Sequence, residues 1–316
     1  MPEARSIVKF CTAMAVLAGS SALADEIKRP DKVSFYFAAH EDDWKLFMNP
    51  SAFEDVIKSA KKTVFIHVTA GDAGEGIGWG GRKRQYYLAR ENGAEQAIRF
   101  MANADDEPGP ETAGLMTFNG HPIFRVSYRS TVGYFLRVPD GNPEGSGYLD
   151  TGYQSLKRLE DGSKPLLTAV DGSTVYRGWD DLVATVRAIL NYERAGASLI
   201  QVNAAELDPK INPGDHSDHL MTAKAAYEAA KPLACVRKVS YVDYASANLP
   251  TNLKAEQRDM ESSVFAVTLA GVLAFDHGTA WHHYDEAYVG KNYFRVEEPA
   301  GNCGTTTTTM AASAKR

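Results

Sequence analysis

Residues 33–39 (VSFYFAA) form a run rich in β-branched and aromatic side chains that stops at a cluster of polar groups, His40-Glu41-Asp42-Asp43. An apolar run of this length without alternation reads as a strand buried on both faces, as in parallel sheets. Residues 53–60 read as a helix and residues 63–69 (TVFIHVT) as a second buried strand. A glycine-rich stretch at 71–81 and a helix from about 85 to 101 follow. This βαβα opening predicts a mostly parallel sheet covered by helices on both faces. From 115 to 138 the pattern alternates and carries a turn signal at Asn119-Gly120, which predicts antiparallel strands. Residues 139–178 are rich in Gly, Pro, Asp and Ser and read as a long surface excursion. The α/β rhythm then returns. Leu182, Val183, Val186, Ile189 and Leu190 share one helical face, 199–202 reads as a strand, and 218–230 as a helix. Residues 239–244 read as the next strand and 253–275 as a long, largely buried helix.

The N-terminus follows a different logic. Arg5 and Lys9 precede an apolar run at 10–18, and Ala22-Leu23-Ala24 supplies an A-x-A end. This is the pattern of a secretory signal peptide over residues 1–24, and it predicts an exported mature chain starting at Asp25. The run is too short and too interrupted to span a membrane as a helix, so no integral membrane segment is expected after cleavage. Residues 25–300 are expected to form a single domain, with an antiparallel β insertion at about 113–178. Residues 301–316, with five consecutive threonines, form a low-complexity tail.

Composition narrows the function. The chain has 316 residues, 44% hydrophobic and 23% charged, in the range of ordinary globular proteins. A formal net charge of −6 argues against a general basic surface for nucleic acid or anionic membrane. Once the leader is removed, only Cys235 and Cys303 remain. They are too few for a thiolate metal site, but in an oxidising compartment they can pair if the fold brings them together. The chain contains no Asn-x-Ser/Thr acceptor (x not Pro), which leans toward a bacterial exported protein.

Two short segments carry candidate chemistry. Ala39-His40-Glu41-Asp42-Asp43-Trp44 lies at the C-terminal end of the first strand, where open α/β sheets bind ligands. A His and an Asp three residues apart on a sharp turn can offer one nitrogen and one oxygen to a single cation, with Asp42 between them free to act as a base. Asp215-His216-Ser217-Asp218-His219 lies at a helix start, where two histidines three apart face the same side. His40, Asp43 and one of these histidines would give a two-His, one-carboxylate set, the composition of many catalytic zinc sites. Each segment alone has a plainer reading. A His/Asp pair at a strand end is ordinarily a satisfied turn, and the second segment could be a capped helix N-terminus. Asp218 is better placed to orient a neighbour or the helix start than to bind metal.

In order and spacing the two segments resemble the Ala-His-Pro-Asp-Asp-Glu and His-Pro-Asp-His motifs of the N-acetylglucosaminyl-phosphatidylinositol de-N-acetylase family, also called PIG-L or LmbE-like. Residues 69–74 (TAGDAG) resemble the family's Thr-x-Gly-Glu-Ala-Gly segment, and Arg90 sits where the family places an Arg on the following helix. The resemblance runs from about 33 to 275, with 115–178 poorly matched. It implies a Rossmann-like α/β fold and one zinc ion on His40, Asp43 and His219. It also implies Asp42 as general base, and His216 as proton donor to the leaving amine or as oxyanion stabiliser. Arg90, Asp72 and Trp44 become candidate substrate contacts. The implied substrate is an N-acetylated amino sugar, here expected within a glycan because the chain is exported. Glu41 and Ser217 replace prolines of the family pattern, and Trp44 replaces an acidic residue; none of these changes removes a ligand or the base. Other readings are an amidase acting on a different acyl amide, such as a thiol conjugate, and a catalytically weak carbohydrate binder using Trp44 as a stacking surface. For the amino-sugar substrate, Trp44, Trp79, Tyr148, Tyr153 and Trp179 near the expected rim are candidates to stack on sugar faces.

Residues 76–81 (GIGWGG) also fit the G-x-G-x-x-G dinucleotide pattern. They follow the second strand, however, and no acidic strand end lies about twenty residues on. With Arg82, Lys83 and Arg84 beside them, they read better as a loop at the rim of the site. His282 and His283 read as surface residues.

Overall fold

The computed structural model describes residues 31–75, 84–105, 109–279, 281–300 and 303. The predicted signal peptide, the GIGWGG run and all of the threonine-rich tail except Cys303 lie outside the described residues.

The elements run in the order β1 (Lys32–Ala38), α1 (Asp43–Phe47), α2 (Ser51–Glu54) with a π-helical turn Asp55–Ser59, β2 (Lys62–Thr69) and α3 (Tyr86–Asn103). Next come β3 (Glu111–Phe118), β4 (His121–Tyr128), β5 (Thr131–Val138), α4 (Leu156–Glu160), β6 (Leu166–Thr168) and β7 (Val175–Arg177). The chain closes with α5 (Trp179–Arg194), β8 (Leu199–Ala205), α6 (Ser217–Ala230), β9 (Val236–Tyr241), α7 (Ala255–Leu273), α8 (Trp281–Tyr284) and β10 (Phe294–Glu297). Eight strands form one sheet in the order β10-β9-β8-β1-β2-β5-β4-β3. The five from β9 to β5 are parallel, and the pairs β10/β9, β5/β4 and β4/β3 are antiparallel. This is the expected α/β architecture. Among the described residues no helix is long and apolar enough to cross a membrane.

Alternation along β1 builds both sides of the core. Val33, Phe35 and Phe37 join a cluster with residues of α5 and α6, while Tyr36 and Ala38 join one with residues of α1, α3 and α7. Both faces are covered, which is why the strand reads as continuously apolar. At the α3–α7 crossing Gly93 and Gly271 meet. A Cβ on Gly271 would lie 2.6 Å from the Gly93 Cα, so only glycine allows this approach.

Three expectations need correction. The alternating region is not a separate insertion in its entirety: β5 pairs in parallel with β2 and belongs to the central sheet, and only β4 and β3 extend it antiparallel. Its apolar content (TVGYFLRV) was compatible with either setting. The 139–178 stretch is not a bare excursion either, since it contains α4 and the β6/β7 hairpin and packs Leu156, Leu159, Leu167 and Tyr176 into the core. Likewise α7 is buried along a stripe (Glu261, Val264, Phe265, Thr268, Gly271 and Val272) and exposed elsewhere. Asn119 and Gly120 both adopt positive φ (50° and 85°) at the β3/β4 turn, as an Asn-Gly hairpin requires. Cys235 and Cys303 form a disulfide with Cα atoms 5.3 Å apart, tying the chain beyond β10 to the start of β9.

Candidate metal centre

β1 lies between β2 on one side and β8 on the other, so the chain reverses its direction of travel across the sheet there. The crevice beyond the carboxyl ends of such strands is where open α/β sheets place ligands. The turn after β1 delivers His40 and Asp43 to it, and the loop from β8 into α6 delivers His216 and His219.

Three side-chain atoms converge. His40 Nδ1 is 3.4 Å from Asp43 Oδ1, His219 Nε2 is 3.2 Å from the same oxygen, and the two ring nitrogens are 3.3 Å apart. Ligand atoms bound about 2.0–2.1 Å from a tetrahedral zinc are themselves separated by about 3.3 Å. The separations of the three atoms therefore match one face of such a centre. The surrounding groups fix this arrangement. The His40 N–H donates to Asp43 Oδ2 at 2.7 Å, turning Oδ1 toward the rings. His219 Nδ1 lies 2.8 Å from Asp215 Oδ1 and 3.4 Å from Asp243 Oδ2, the carboxylate support that metal-binding imidazoles commonly have. His40 Nε2, buried and without a hydrogen-bond partner, is 3.6 Å from both Asp140 Oδ2 and Asp218 Oδ2.

Electrostatics follow from this crowding. Burial opposes charge on His40 and His219, yet the carboxylates, Asp43 first among them, hold both rings well above the usual histidine range. Burial also opposes charge on Asp43, but His219 and His40 keep its pKa well below the ordinary value. His216 is different. Burial, followed by the positive potential of His40 and His219, lowers its pKa to about 3. Its Nδ1 caps α6 by accepting the Asp218 N–H at 3.1 Å, so the neutral ring carries its proton on Nε2. It meets His40 edge to face, with ring centroids 4.7 Å apart, and lines a cavity of about 140 Å³ together with Asp42, Arg90, Asp140 and Tyr244.

The other candidates divide. Asp42 stands at the cavity with its side chain 20% exposed and is gripped by Arg90 through Oδ1. Asp218 is fully buried and accepts the Gly141 N–H at 2.7 Å, so it orients the loop after β5 as well as approaching His40. Asp72 is fully buried and accepts the Asp140 N–H at 2.8 Å, anchoring that loop. Trp44 is not a stacking surface. It is 0% exposed, packs on Phe65 with centroids 4.4 Å apart, and donates its indole N–H to His67 Nε2 at 3.0 Å. Trp179 is also turned away, donating to Glu228 near the far end of α6 at 2.6 Å. Tyr153 is exposed and Tyr148 part-buried, whereas Trp79 lies outside the described residues.

Asp140, Asp243 and Tyr244 were missed in the sequence. Asp140 follows Val138-Pro139 at the end of β5, and recognising β5 as a central parallel strand would have pointed to it. No family model and no curated protein matches the chain. Among solved structures the chain is similar to N,N′-diacetylchitobiose deacetylase from Pyrococcus horikoshii. The identity is 13% and the TM-score 0.44, over 85% of this chain and 84% of that one.

Proposed function

We propose that this chain is an exported, zinc-dependent hydrolase that removes N-acetyl groups from amino sugars. The observation that carries the reading is the triangle of His40 Nδ1, Asp43 Oδ1 and His219 Nε2, with edges of 3.2–3.4 Å beside a cavity that Asp42 and His216 also line. The motif resemblance supplies the reaction class, and the leader-like N-terminus supplies the location.

When bound there, zinc would supply Lewis acidity and bring the pKa of a water down toward about 7. Asp42, which lines the cavity, would take the proton from the attacking water, while Arg90 holds one of its oxygens. His216 acts as a neutral donor: with Nδ1 committed to the Asp218 N–H, its Nε2–H is available to the oxygen that gains charge when the amide carbonyl is attacked. Asp42 then returns its proton to the departing amine. This favours His216 as oxyanion stabiliser over His216 as a cationic acid, because burial disfavours its charged form. The carbohydrate-binder reading loses its main feature with the burial of Trp44.

The test measures zinc content together with acetate release from N-acetylglucosamine, short N-acetylated oligosaccharides, polymeric glycans and a thiol-conjugate amide. Longer sugars should give the higher kcat/KM, because contacts remote from the bond contribute to transition-state binding. Activity confined to the thiol conjugate would replace the sugar assignment with the amidase one.

A further inference from the structure

Glu41 occupies the turn that carries His40 and Asp42 but points elsewhere. It is 1% exposed, and its Oε2 accepts a 3.0 Å hydrogen bond from Arg90 Nε. The same guanidinium reaches Asp42 Oδ1 through its Nη2. From below, Lys45 Nζ binds the Glu41 carbonyl oxygen. From above, the backbone of Gly71 presses against the pair: a Cβ at that position would lie 2.6 Å from Glu41 Oε2 and 2.8 Å from Arg90 Nε. The 41–45 turn and the Gly71 backbone thus enclose one guanidinium, with Lys45 bracing the turn.

A guanidinium is a rigid planar fork, so fixing its Nε edge also fixes where its Nη2 points. Asp42 has a short side chain, more exposed than that of Glu41 (20% against 2%), and packing leaves it freer to turn. With Oδ1 held by Arg90, Oδ2 is the oxygen left to accept a proton. We propose that Glu41 is a positioning residue that, through Arg90, sets the orientation of Asp42. The inference rests on the reading of Asp42 as the base.

The experiment compares Glu41→Ala, Glu41→Gln and Arg90→Lys, each made in the wild-type and in the Asp42→Asn background of the full chain. Zinc content, kcat, KM and crystal structures are the readouts. Glu41→Ala should lower kcat about tenfold to a hundredfold, the scale of a misplaced reacting group, with KM and zinc content unchanged. Glu41→Gln, which keeps an acceptor for Arg90 Nε, should recover most of the loss. Arg90→Lys should not, because an ammonium cannot bridge both carboxylates in a fixed geometry. In the Asp42→Asn background Glu41→Ala should add no further loss. The crystal structure of Glu41→Ala should show Asp42 and Arg90 reoriented around unchanged His40, Asp43 and His219.

Equal losses in both backgrounds, loss of zinc, or an unmoved Asp42 carboxylate would each overturn the proposal. Should Glu41→Ala not fold, Glu41→Gln and Arg90→Lys decide through the same readouts. A wild-type protein without deacetylase activity would remove the functional reading, while the crystal structures would still decide whether Glu41 sets Asp42.

Discussion

His40 Nδ1 and His219 Nε2 face each other at 3.3 Å although 179 residues separate them in the chain. Two imidazole nitrogens brought this close need either a shared proton or a cation between them. We expect about one zinc per chain in the purified protein. His40→Ala and His219→Ala should each lose it, as read by elemental analysis after dialysis. Asp215→Asn should retain a site weakened about 10–100-fold, because only the support of the His219 ring is lost. Full zinc occupancy in both alanine variants would exclude this ligand set.

Zinc uptake should release protons. The carboxylates raise the His40 and His219 pKa values above the usual 6.5, so near neutral pH the metal-free ring pair holds at least one proton that the ion must displace. Zinc affinity should therefore rise with pH. Calorimetry in two buffers of different ionisation enthalpy measures the release directly, and identical heats in both buffers would contradict it. The same shift sets metal-free stability. The contribution of a raised histidine pKa is fully present below about pH 6.5 and lost as pH rises through the folded value. Asp43, with its lowered pKa, contributes above about 3.8 and loses that contribution only as pH falls through its folded value. The metal-free protein should thus show a falling Tm on alkaline titration, which zinc reverses.

Asp42 and Asp43 are adjacent but should separate cleanly. Asp42→Asn should keep zinc and lose about 10²–10⁴ in kcat, since an amide cannot take the water's proton. Asp43→Asn should weaken zinc binding first. Metal analysis alongside kcat distinguishes them, and the opposite pattern would exchange the two roles.

The fold was legible wherever burial leaves a continuous apolar run, as in VSFYFAA and TVFIHVT, because a strand covered on both faces has no other way to look. The candidate ligands were legible because their chemistry is compressed into two short segments. Asp140 and Asp243 were not, since each is a lone acid at a strand end whose meaning depends on which strand lies beside it. Trp44 misled for a related reason. Its type suggests a sugar platform, and only the packing of Phe65 and the lone pair of His67 Nε2 make it an interior residue.

His216 should govern rate without governing pH. With a pKa near 3 it stays neutral across the working range. His216→Gln should lower kcat about 10²–10³-fold, the loss expected for one oxyanion donor. The shape of the pH–rate profile should stay the same. Loss of the basic limb in this variant would show that His216 acts as a general acid instead.

The Cys235–Cys303 disulfide closes a separation of 68 residues and ties down the antiparallel edge strand β10. Removing it by Cys303→Ser should cost about 2–4 kcal/mol of stability, visible as a lower Tm. Unreduced wild-type protein should contain no free thiol in the mature chain. Two titratable thiols in the oxidised protein would refute the pairing.

Gly71 answers to two demands that are usually confounded. Its φ of +50° calls for a residue that tolerates the left-handed region, and asparagine can meet that demand. The space at its Cβ, already claimed by Glu41 Oε2 and Arg90 Nε, admits no side chain at all. Positions 41, 71 and 90 therefore form one packing unit. Replacing Glu41 alone would not free that space, since Arg90 Nε and Cζ would still stand 2.8 and 2.9 Å from a Cβ at 71. Any side chain at 71 would have to displace the guanidinium that grips Asp42.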